Sequence, residues 1–181
     1  MKTSIVSPIW FSLLSAAVLT VSVGATATAQ SQTNRLRVGV YDSRAVAIAY
    51  GNSTEFKESM KPIEADHKNA QEGKNEKRVK EIESQMQSRQ RRAHDQAFST
   101  GSVAPVMAKV KNNLPDVAKQ AGVQAIVSKW ELNFHALEVE VVDVTDKIVA
   151  LFHVSERGWK WSKEIQSKPP LPLEQITEHL D

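Results

Sequence analysis

The side chains that could perform acid–base, nucleophilic or metal chemistry are few in this chain and stand apart from one another. Cysteine is absent from all 181 residues, so thiolate nucleophiles and thiolate metal ligands are excluded. The histidines occur singly, at His67, His94, His135, His153 and His179. No serine stands in a Gly-x-Ser-x-Gly setting, and no His-Glu-x-x-His pair is present. We therefore predict no catalytic residue, no cofactor, no metal site and no enzymatic activity.

Two pairs of residues still invite a chemical interpretation. His135 lies near Glu131 and could supply half of a metal site, but no further ligand motif accompanies them. Asp143 and Asp146 could form an acid–base pair, yet both stand where a helix should begin, and aspartate is favoured at helix N-termini. We expect ordinary hydrogen bonds at the first pair and helix capping at the second.

The start of the chain has the pattern of a cleavable secretory signal peptide. Lys2 supplies the positive charge, an apolar run covers residues 9–23, and alternate alanines lead to an expected cleavage after Ala29. The run is interrupted by polar residues and is short for a bilayer span. We expect residues 1–29 to be a signal peptide and the mature protein to be exported to the periplasm, or secreted if the source has no outer membrane.

Charge and length restrict the mature protein further. The whole chain has 23 Lys plus Arg and 21 Asp plus Glu, and removal of Lys2 with the signal peptide leaves a net charge of +1. Dedicated nucleic-acid binding usually shows a strong basic excess, so we predict no nucleic-acid partner. About 150 mature residues suit one domain. Without disulfides, its stability must come from the core, from oligomerisation, or from both.

Two amphipathic helices with a narrow apolar stripe are predicted over about residues 53–98. Asn52 followed by Glu55 resembles a capping box at the start of the first helix. The stripe changes phase around Gly73, where a polar turn should join the helices into an antiparallel hairpin roughly 30 Å long. A single long helix with a phase slip is the alternative.

The hairpin residues have two possible roles. A protein that holds unfolded chains needs apolar side chains diluted by charge. An antiparallel helix pair, however, needs the same side chains as its seam, and we favour the seam. Neighbouring arginines suit either a solvated helix face or a surface that attracts acidic clients or lipid headgroups at a membrane. The candidate client- or partner-binding residues are Phe56, Met60, Ile63, Val79, Ile82, Met86, Arg89, Arg91 and Arg92.

Shorter elements surround the hairpin. Residues 35–41 alternate as a half-buried strand does, and Asp42 should cap a short buried helix over 44–50. In the last predicted strand, Leu137 and Val141 fall on the face that alternates with glutamates. The remaining predicted elements are a helix over 103–121 ended by Gly122, a strand pair over 123–129 and 137–142, and a closing helix over 145–152.

Residues 153–181 differ in character, with tryptophans followed by a proline cluster. The prolines favour an extended conformation along the surface. We expect a tail laid across its own domain or a neighbouring subunit rather than a docking peptide for a proline-binding domain, because Trp159, Trp161, Leu171 and Leu173 supply packing anchors.

The order of elements resembles the Skp/OmpH family of periplasmic chaperones. Three stretches carry the resemblance, over about residues 37–151: RVGVYDSRAVAIAY, AKQAGVQAIVSKW and VEVVDVTDKIVALF. The resemblance implies an α+β fold in which a small β-sheet body carries a protruding antiparallel α-helical hairpin, and it implies a trimer. Residues 30–152 would form this domain. The arm is shorter than in the well-known chaperone, and the tail over 153–181 is additional.

The resemblance implies an exported, ATP-independent holdase that oligomerises and binds unfolded or outer-membrane polypeptides. The alternative is a non-enzymatic structural or adaptor protein of the cell envelope, which would dock one fixed partner through the hairpin or the proline-rich tail. A small hydrolase or metal-binding protein is the third interpretation.

Overall fold

The computed structural model describes residues 35–178. The predicted signal peptide, residues 1–29, lies outside this range. None of the helices within it combines the length and the apolar character that a membrane span requires.

The described chain begins with strand β1 (Arg37–Tyr41), helix α1 (Ser43–Gly51) and two long helices, α2 (Thr54–Glu72) and α3 (Glu76–Phe98). Next come α4 (Ala104–Met107), a 3₁₀ helix (Ala108–Asn113), α5 (Leu114–Ala121) and β2 (Ala125–Ser128). The last elements are β3 (Glu140–Asp143), α6 (Thr145–Val149), α7 (Glu156–Gln166) and α8 (Leu173–Glu178). This mixture of helices with a small sheet confirms the predicted α+β class.

The strands form one parallel sheet in the order β2-β1-β3. The expected pairing between the second and third predicted strands was wrong, because each of them lies beside β1. Val40 of β1 has Val127 as its Cα partner on one side and Asp143 on the other. Parallel neighbours need long crossover connections, and the segment from α1 to α5 is the crossover between β1 and β2.

The side of the sheet that faces the helices is not the side that the sequence pattern indicated in β3. Tyr41, Ile126 and Val142 pack in or against the main core. Leu137 lies before the strand and is 98% exposed, and Val141 is 37% exposed. The alternation around residue 140 identified a strand correctly but placed its apolar face away from the core.

The apolar side chains on the opposite side of the sheet lie outside the main core. Side chains alternate along a strand, so the residues between the core-facing positions share the other side. We call this side the open sheet face, and its apolar residues are Val38, Val40, Ala125, Val127 and Val141.

Helix α1 is the centre of the core. Ala45, Val46 and Ala49 have no exposed surface, and α1 contacts α3, α6 and α7. The alanines lack bulk beyond Cβ, so three other helices can approach the same short helix. As predicted, Asp42 caps it, since its side chain accepts a hydrogen bond from the Arg44 backbone N–H at 3.0 Å.

Helices α2 and α3 are separated by a turn at residues 73–75, so they are not one continuous helix. The predicted cap of α2 was wrong by one residue: Ser53, not Asn52, accepts from the Phe56 N–H, at 3.1 Å. Asn52 instead ends α1 and donates through its side chain to the Ile48 carbonyl at 2.9 Å. Serine can cap one helix directly after asparagine has ended the previous one.

The single helix predicted over 103–121 is divided into α4, the 3₁₀ helix and α5. Pro115 explains part of this, because proline has no N–H to continue an α-helical hydrogen-bond ladder. The backbone N–H of Leu114 bonds to the Lys111 carbonyl, three residues earlier, as in a 3₁₀ turn. Gly122 ends α5 in the left-handed conformation with φ 65°, which confirms the prediction at that residue.

The region after His153 contributes a helix to the core. Helix α7 packs on α1, where the Ser162 hydroxyl donates to the Ala45 carbonyl at 3.1 Å and Ile165 joins the core. The proline-rich stretch then lies against α3, since the Leu171 N–H donates to the Phe98 carbonyl at 2.8 Å. Ile176 of α8 is buried. Much of the expected tail is therefore part of the folded domain.

Candidate binding cleft

A cleft of about 850 Å³ lies among the end of α1, the start of α2, the second half of α3 and the segment formed by α4 and the 3₁₀ helix. Two other clefts of the described chain, of about 370 and 490 Å³, are smaller. A volume of this size is within the range of ligand-binding clefts.

The apolar lining of this cleft comes from every surrounding element. Its main members are Ala47, Tyr50, Phe56, Met60, Met86 and Val106. Tyr50 and Phe56 meet edge to face, with ring centroids 5.5 Å apart. The junction between α1 and α2 is short, so the last turn of one helix and the first turn of the next place these two rings together. The rings form one corner of the cleft, and the unbranched methionines add adaptable apolar surface.

The charged side chains that line the cleft are all basic. Arg89 and Arg92 come from α3 and Lys109 comes from the 3₁₀ helix, and the imidazole of His94 also lines the cleft. The Lys109 ammonium lies 5.2 Å from the centroid of the Tyr50 ring, a cation–π contact. Among the lining residues there is no aspartate and no glutamate. We therefore call it the basic cleft.

The two arginines are available for a ligand. Both are exposed, and neither forms an ion pair with another described residue. Arg89 and Arg92 are three residues apart on a helix, which places them on the same face. A guanidinium can donate two parallel hydrogen bonds to one carboxylate or phosphate. The pair can thus hold an acidic group at the edge of the apolar surface.

The structure brings together five of the nine predicted site residues. Phe56, Met60, Met86, Arg89 and Arg92 line the basic cleft.

The other four predicted residues lie elsewhere. Ile82 is 1% exposed, and Ile63 and Val79 are half-buried away from the cleft lining. Arg91 is exposed and does not line the cleft, although the residues directly before and after it in the sequence do. The apolar stripe therefore divides: its members nearer the α2–α3 turn lie away from the cleft, with only Ile82 fully buried, and its members at the other end line the cleft.

Sequence reasoning missed the cleft residues that come from other elements. Tyr50 lies in a short helix that was expected to be buried, and Val106 and Lys109 were not singled out as site residues. No local pattern indicated that they share a cleft with α3. Only the packing of α1 against α3 brings them together.

A buried ion cluster fixes the helix that carries Tyr50. Arg44 has no exposed surface, and its Nη2 donates to Asp42 Oδ2 at 2.8 Å and to the Ile165 carbonyl at 3.0 Å. Lys129 Nζ lies 2.8 Å from the same carboxylate oxygen, and the Trp130 indole N–H donates to Oδ1 at 3.3 Å. The cluster ties the start of α1 to the end of β2 and to α7.

Opposing effects act on the carboxyl group at the centre of this cluster. Burial alone would raise the pKa of Asp42, but hydrogen bonds from Arg44 and Lys129, with their positive charges, outweigh burial and lower that pKa below its usual value. Asp42 is therefore an anion at neutral pH. Arg44 Nη1 and Ser43 Oγ have no hydrogen-bond partner among the described residues, so this buried site depends on the Asp42 charge.

The candidate chemical pairs do not converge. Asp143 accepts a hydrogen bond from the Thr145 N–H at 2.8 Å, but Val144 holds the N-cap position of α6 and no side chain caps the helix, so the expected capping was wrong. Asp146, in the first turn of α6, forms an ion pair with Lys163. His135 bonds to the carbonyl of its neighbour Ala136.

The remaining histidines within residues 35–178 also have separate partners. His67 lies 3.4 Å from Glu83, and His94 meets the Phe98 ring edge to face. His153 bonds to Glu55, and this hydrogen bond lowers the pKa of that carboxyl. His179 lies outside the described residues. Within the described range, no group of three or more metal-ligating acidic or histidine side chains is present.

Comparison with known proteins gives no match. No family model matches the chain, and neither a curated protein nor a solved structure matches it. The family resemblance drawn from the three sequence stretches therefore stays a prediction. The basic cleft has to be interpreted from its own geometry and charge.

Proposed function

We propose that the protein is an exported, ATP-independent holdase of the Skp/OmpH type, which binds unfolded or membrane-destined polypeptides in the basic cleft without doing chemistry. The observation that carries this proposal is an open cleft of about 850 Å³ whose aromatic and methionine side chains are only partly buried by the protein's own chain. A monomeric protein usually buries such surface or uses it for binding. Adaptable apolar surface with charges at its edge suits many sequences rather than one ligand.

In this proposal α2 and α3 act as one antiparallel hairpin. The Arg78 guanidinium lies 2.6 Å from the Asp66 carboxylate, and His67 lies 3.4 Å from Glu83, so polar contacts join the two helices near their connecting turn. Ile82 serves as part of the apolar seam there. At the other end of the hairpin, the apolar side chains are left for clients. The stripe then forms the seam between the helices near their connecting turn and binds clients at the other end of the hairpin.

The affinity expected of the cleft is moderate. Burying one large apolar side chain contributes about 1.5–3 kcal/mol, and ordering a flexible client opposes this gain. Two or three client side chains in the cleft contribute about 3–9 kcal/mol before that cost, so we expect binding no tighter than micromolar, which corresponds to about 8 kcal/mol. A holdase needs affinity of this order, because it must release its client without a nucleotide cycle.

We further propose that copies of the chain cover the open sheet face, with a trimer as the number implied by the family resemblance. Parallel sheets are normally covered on both sides, whereas the valines on one side of this sheet lie outside the main core and are half-buried or exposed. Phe134 and Leu137, in the loop between β2 and β3, are 82% and 98% exposed. Apolar side chains exposed to this degree are typical of an interface.

The adaptor alternative depends on a free tail, and the packing of α7 and α8 disfavours it. Ile176 is buried, and the Leu171 N–H is bonded to the end of α3. A tail held in this way is less available to a fixed external partner.

The experiment that tests the proposal is suppression of client aggregation by the mature chain, residues 30–181. An unfolded outer-membrane protein is diluted from urea, and its light scattering is followed with wild type and with Met60→Gln/Met86→Gln. Glutamine has nearly the same length and helix propensity as methionine, so the change removes apolar character rather than helix. We expect the double variant to lose most of the suppression.

Ala65→Gln is the matched control, because Ala65 is exposed on α2 and does not line the cleft. It should suppress aggregation as wild type does. Failure of wild type to suppress aggregation at any molar ratio would contradict the holdase proposal, and full activity of the double variant would contradict the role of the cleft.

A further inference from the structure

The basic cleft is charged out of proportion to the rest of the protein. The whole chain has a net charge of only +2, yet three permanent cations line this one cleft and no carboxylate does. Helix α3 carries this asymmetry in its sequence. Its first half has three glutamates balanced by three basic residues, whereas its second half has three arginines and a single acidic residue, Asp95, which does not line the cleft.

We infer that the cleft selects client segments in which aspartate or glutamate residues neighbour large apolar residues. This inference rests on the proposed function and names the kind of polypeptide that the cleft prefers. The carboxylates would pair with the arginines of α3, while the adjacent apolar side chains would enter the space lined by Phe56, Met60 and Met86. Both types of group line the same cleft, so one short segment can reach both.

The cations occupy two different walls. Arg89 and Arg92 lie on α3, and Lys109 lies on the 3₁₀ helix next to the Tyr50 ring. The arginines have no competing anion among the described residues, so a client carboxylate does not have to displace one. Arginine is also weakly hydrated and planar, which favours contact with carboxylates at a partly apolar surface.

Selection also requires rejection of the wrong segment. A client segment rich in lysine and arginine would bring its charges close to three cations with no carboxylate to offset them. Like charges placed opposite each other reduce affinity even where the apolar contacts are unchanged. Apolar content should therefore be necessary for binding, and the sign of the neighbouring charges should decide between segments of equal apolar content.

The test uses fluorescent disordered peptides of equal length, measured by fluorescence anisotropy with the mature chain. One has leucine and phenylalanine alternating with glutamate, the second has lysine in place of glutamate, and the third keeps glutamate but has serine in place of the apolar residues. We expect the first peptide to bind about tenfold more tightly than the second, since two or three exposed ion pairs each contribute a few-fold. The third should bind weakly. The preference should shrink in 0.5 M salt, because exposed charges are screened.

Charge reversal in the cleft provides the decisive variant. Arg89→Glu/Arg92→Glu should reverse the preference, so that the lysine peptide binds more tightly than the glutamate peptide. Both arginines are exposed and unpaired in the described structure, so neither change removes an internal contact. The neutral variant Arg89→Gln/Arg92→Gln should abolish the preference, and it provides a second test with the same peptides if the reversed variant folds poorly. Arg91→Glu is the control and should leave the preference intact.

Each outcome has a distinct meaning. Equal binding of the two apolar peptides to wild type, or a preference that survives charge reversal, would overturn the charge inference while leaving the holdase proposal in place. Binding of no peptide, together with no suppression of aggregation, would overturn both. Cosedimentation with phosphatidylglycerol vesicles but not with the glutamate peptide would show that the cations serve a lipid headgroup, and would also overturn the inference.

Discussion

The buried ion pair between Asp42 and Arg44 offers a prediction whose size follows from the structure. Replacing Asp42 with asparagine removes the negative charge but keeps a side chain that can cap α1, since asparagine is as good a cap as aspartate. Its carbonyl oxygen can still accept from the Arg44 backbone. The main loss is therefore the counter-charge of the Arg44 guanidinium, which has no exposed surface and cannot turn to solvent.

Removing one partner of a buried ion pair costs about 3–5 kcal/mol, because the remaining charge stays buried and uncompensated. Lys129 is 32% exposed and can turn outward when Asp42 loses its charge, so its contribution is small. The retained hydrogen bonds place the expected cost at the lower end, about 3 kcal/mol. A domain of this size is stable by about 5–15 kcal/mol, so the variant should fold but with a large loss of stability.

The assay is urea unfolding of the mature chain, followed by tryptophan fluorescence and far-UV circular dichroism. With a denaturant slope of about 2 kcal/mol/M, Asp42→Asn should lower the midpoint by about 1.5 M. Asp146→Asn is the matched control: its ion pair with Lys163 is about half-exposed, so less than about 1 kcal/mol should be lost. Equal effects of the two substitutions, or no effect of Asp42→Asn, would refute the view that this cluster fixes α1.

Three further predictions concern the Asp42 carboxylate, Ile176 in α8 and Val141 on the open sheet face. Acid should remove the Asp42 contribution, because the folded pKa of Asp42 is lowered: the stabilisation is present above the unfolded value of about 3.9 and is lost as pH falls through the folded value. The urea midpoint of wild type should therefore drop as pH falls below about 4, and that of Asp42→Asn should drop less. Ile176→Ala should lower the free energy of unfolding by about 2 kcal/mol in the same assay and leave suppression of client aggregation unchanged. Deletion of residues 167–181 is checked by pull-down, and loss of both a fixed partner and the clients would favour the adaptor alternative. Val141→Lys, on the open sheet face, should reduce the mass found by light scattering from that of an oligomer to that of a monomer, and an unchanged oligomer would show that this face is not the interface.

Elements that are determined by residues close to them in the sequence could be predicted. Asp42 caps α1 as expected, and Gly122 ends α5 in the left-handed conformation that favours glycine. The two long helices follow from their apolar period, and β1 follows from its alternation. In each case the residues that decide the structure lie within one or two turns of it.

What the sequence could not provide depends on packing between distant segments. The parallel pairing of β2 and β3 with β1 leaves no local mark. Helix α7 contains glycine and two tryptophans and precedes a proline cluster, so its composition suggested a tail; its contacts with α1 through Ser162 and Ile165 stabilise it as a helix. Pattern alone therefore misassigned a segment whose structure depends on its neighbour.

The candidate site divides in the same way. The apolar stripe on α2 and α3 was visible as a helical period, and three of its predicted members, Phe56, Met60 and Met86, line the basic cleft. The period could not show which members would be covered, since Ile82 and Met86 have the same spacing pattern and opposite outcomes. Tyr50 and Lys109 entered the cleft only through the fold.

Photo-crosslinking is the most direct test of client binding in the basic cleft. A photoreactive phenylalanine analogue is placed at position 60, inside the cleft, or at position 65, exposed on the same helix outside it, and each mature protein is illuminated with an unfolded outer-membrane protein. Binding in the basic cleft predicts a crosslinked client at position 60 and little or none at position 65. Crosslinking at position 65 alone, or suppression of aggregation with no crosslink at position 60, would contradict it.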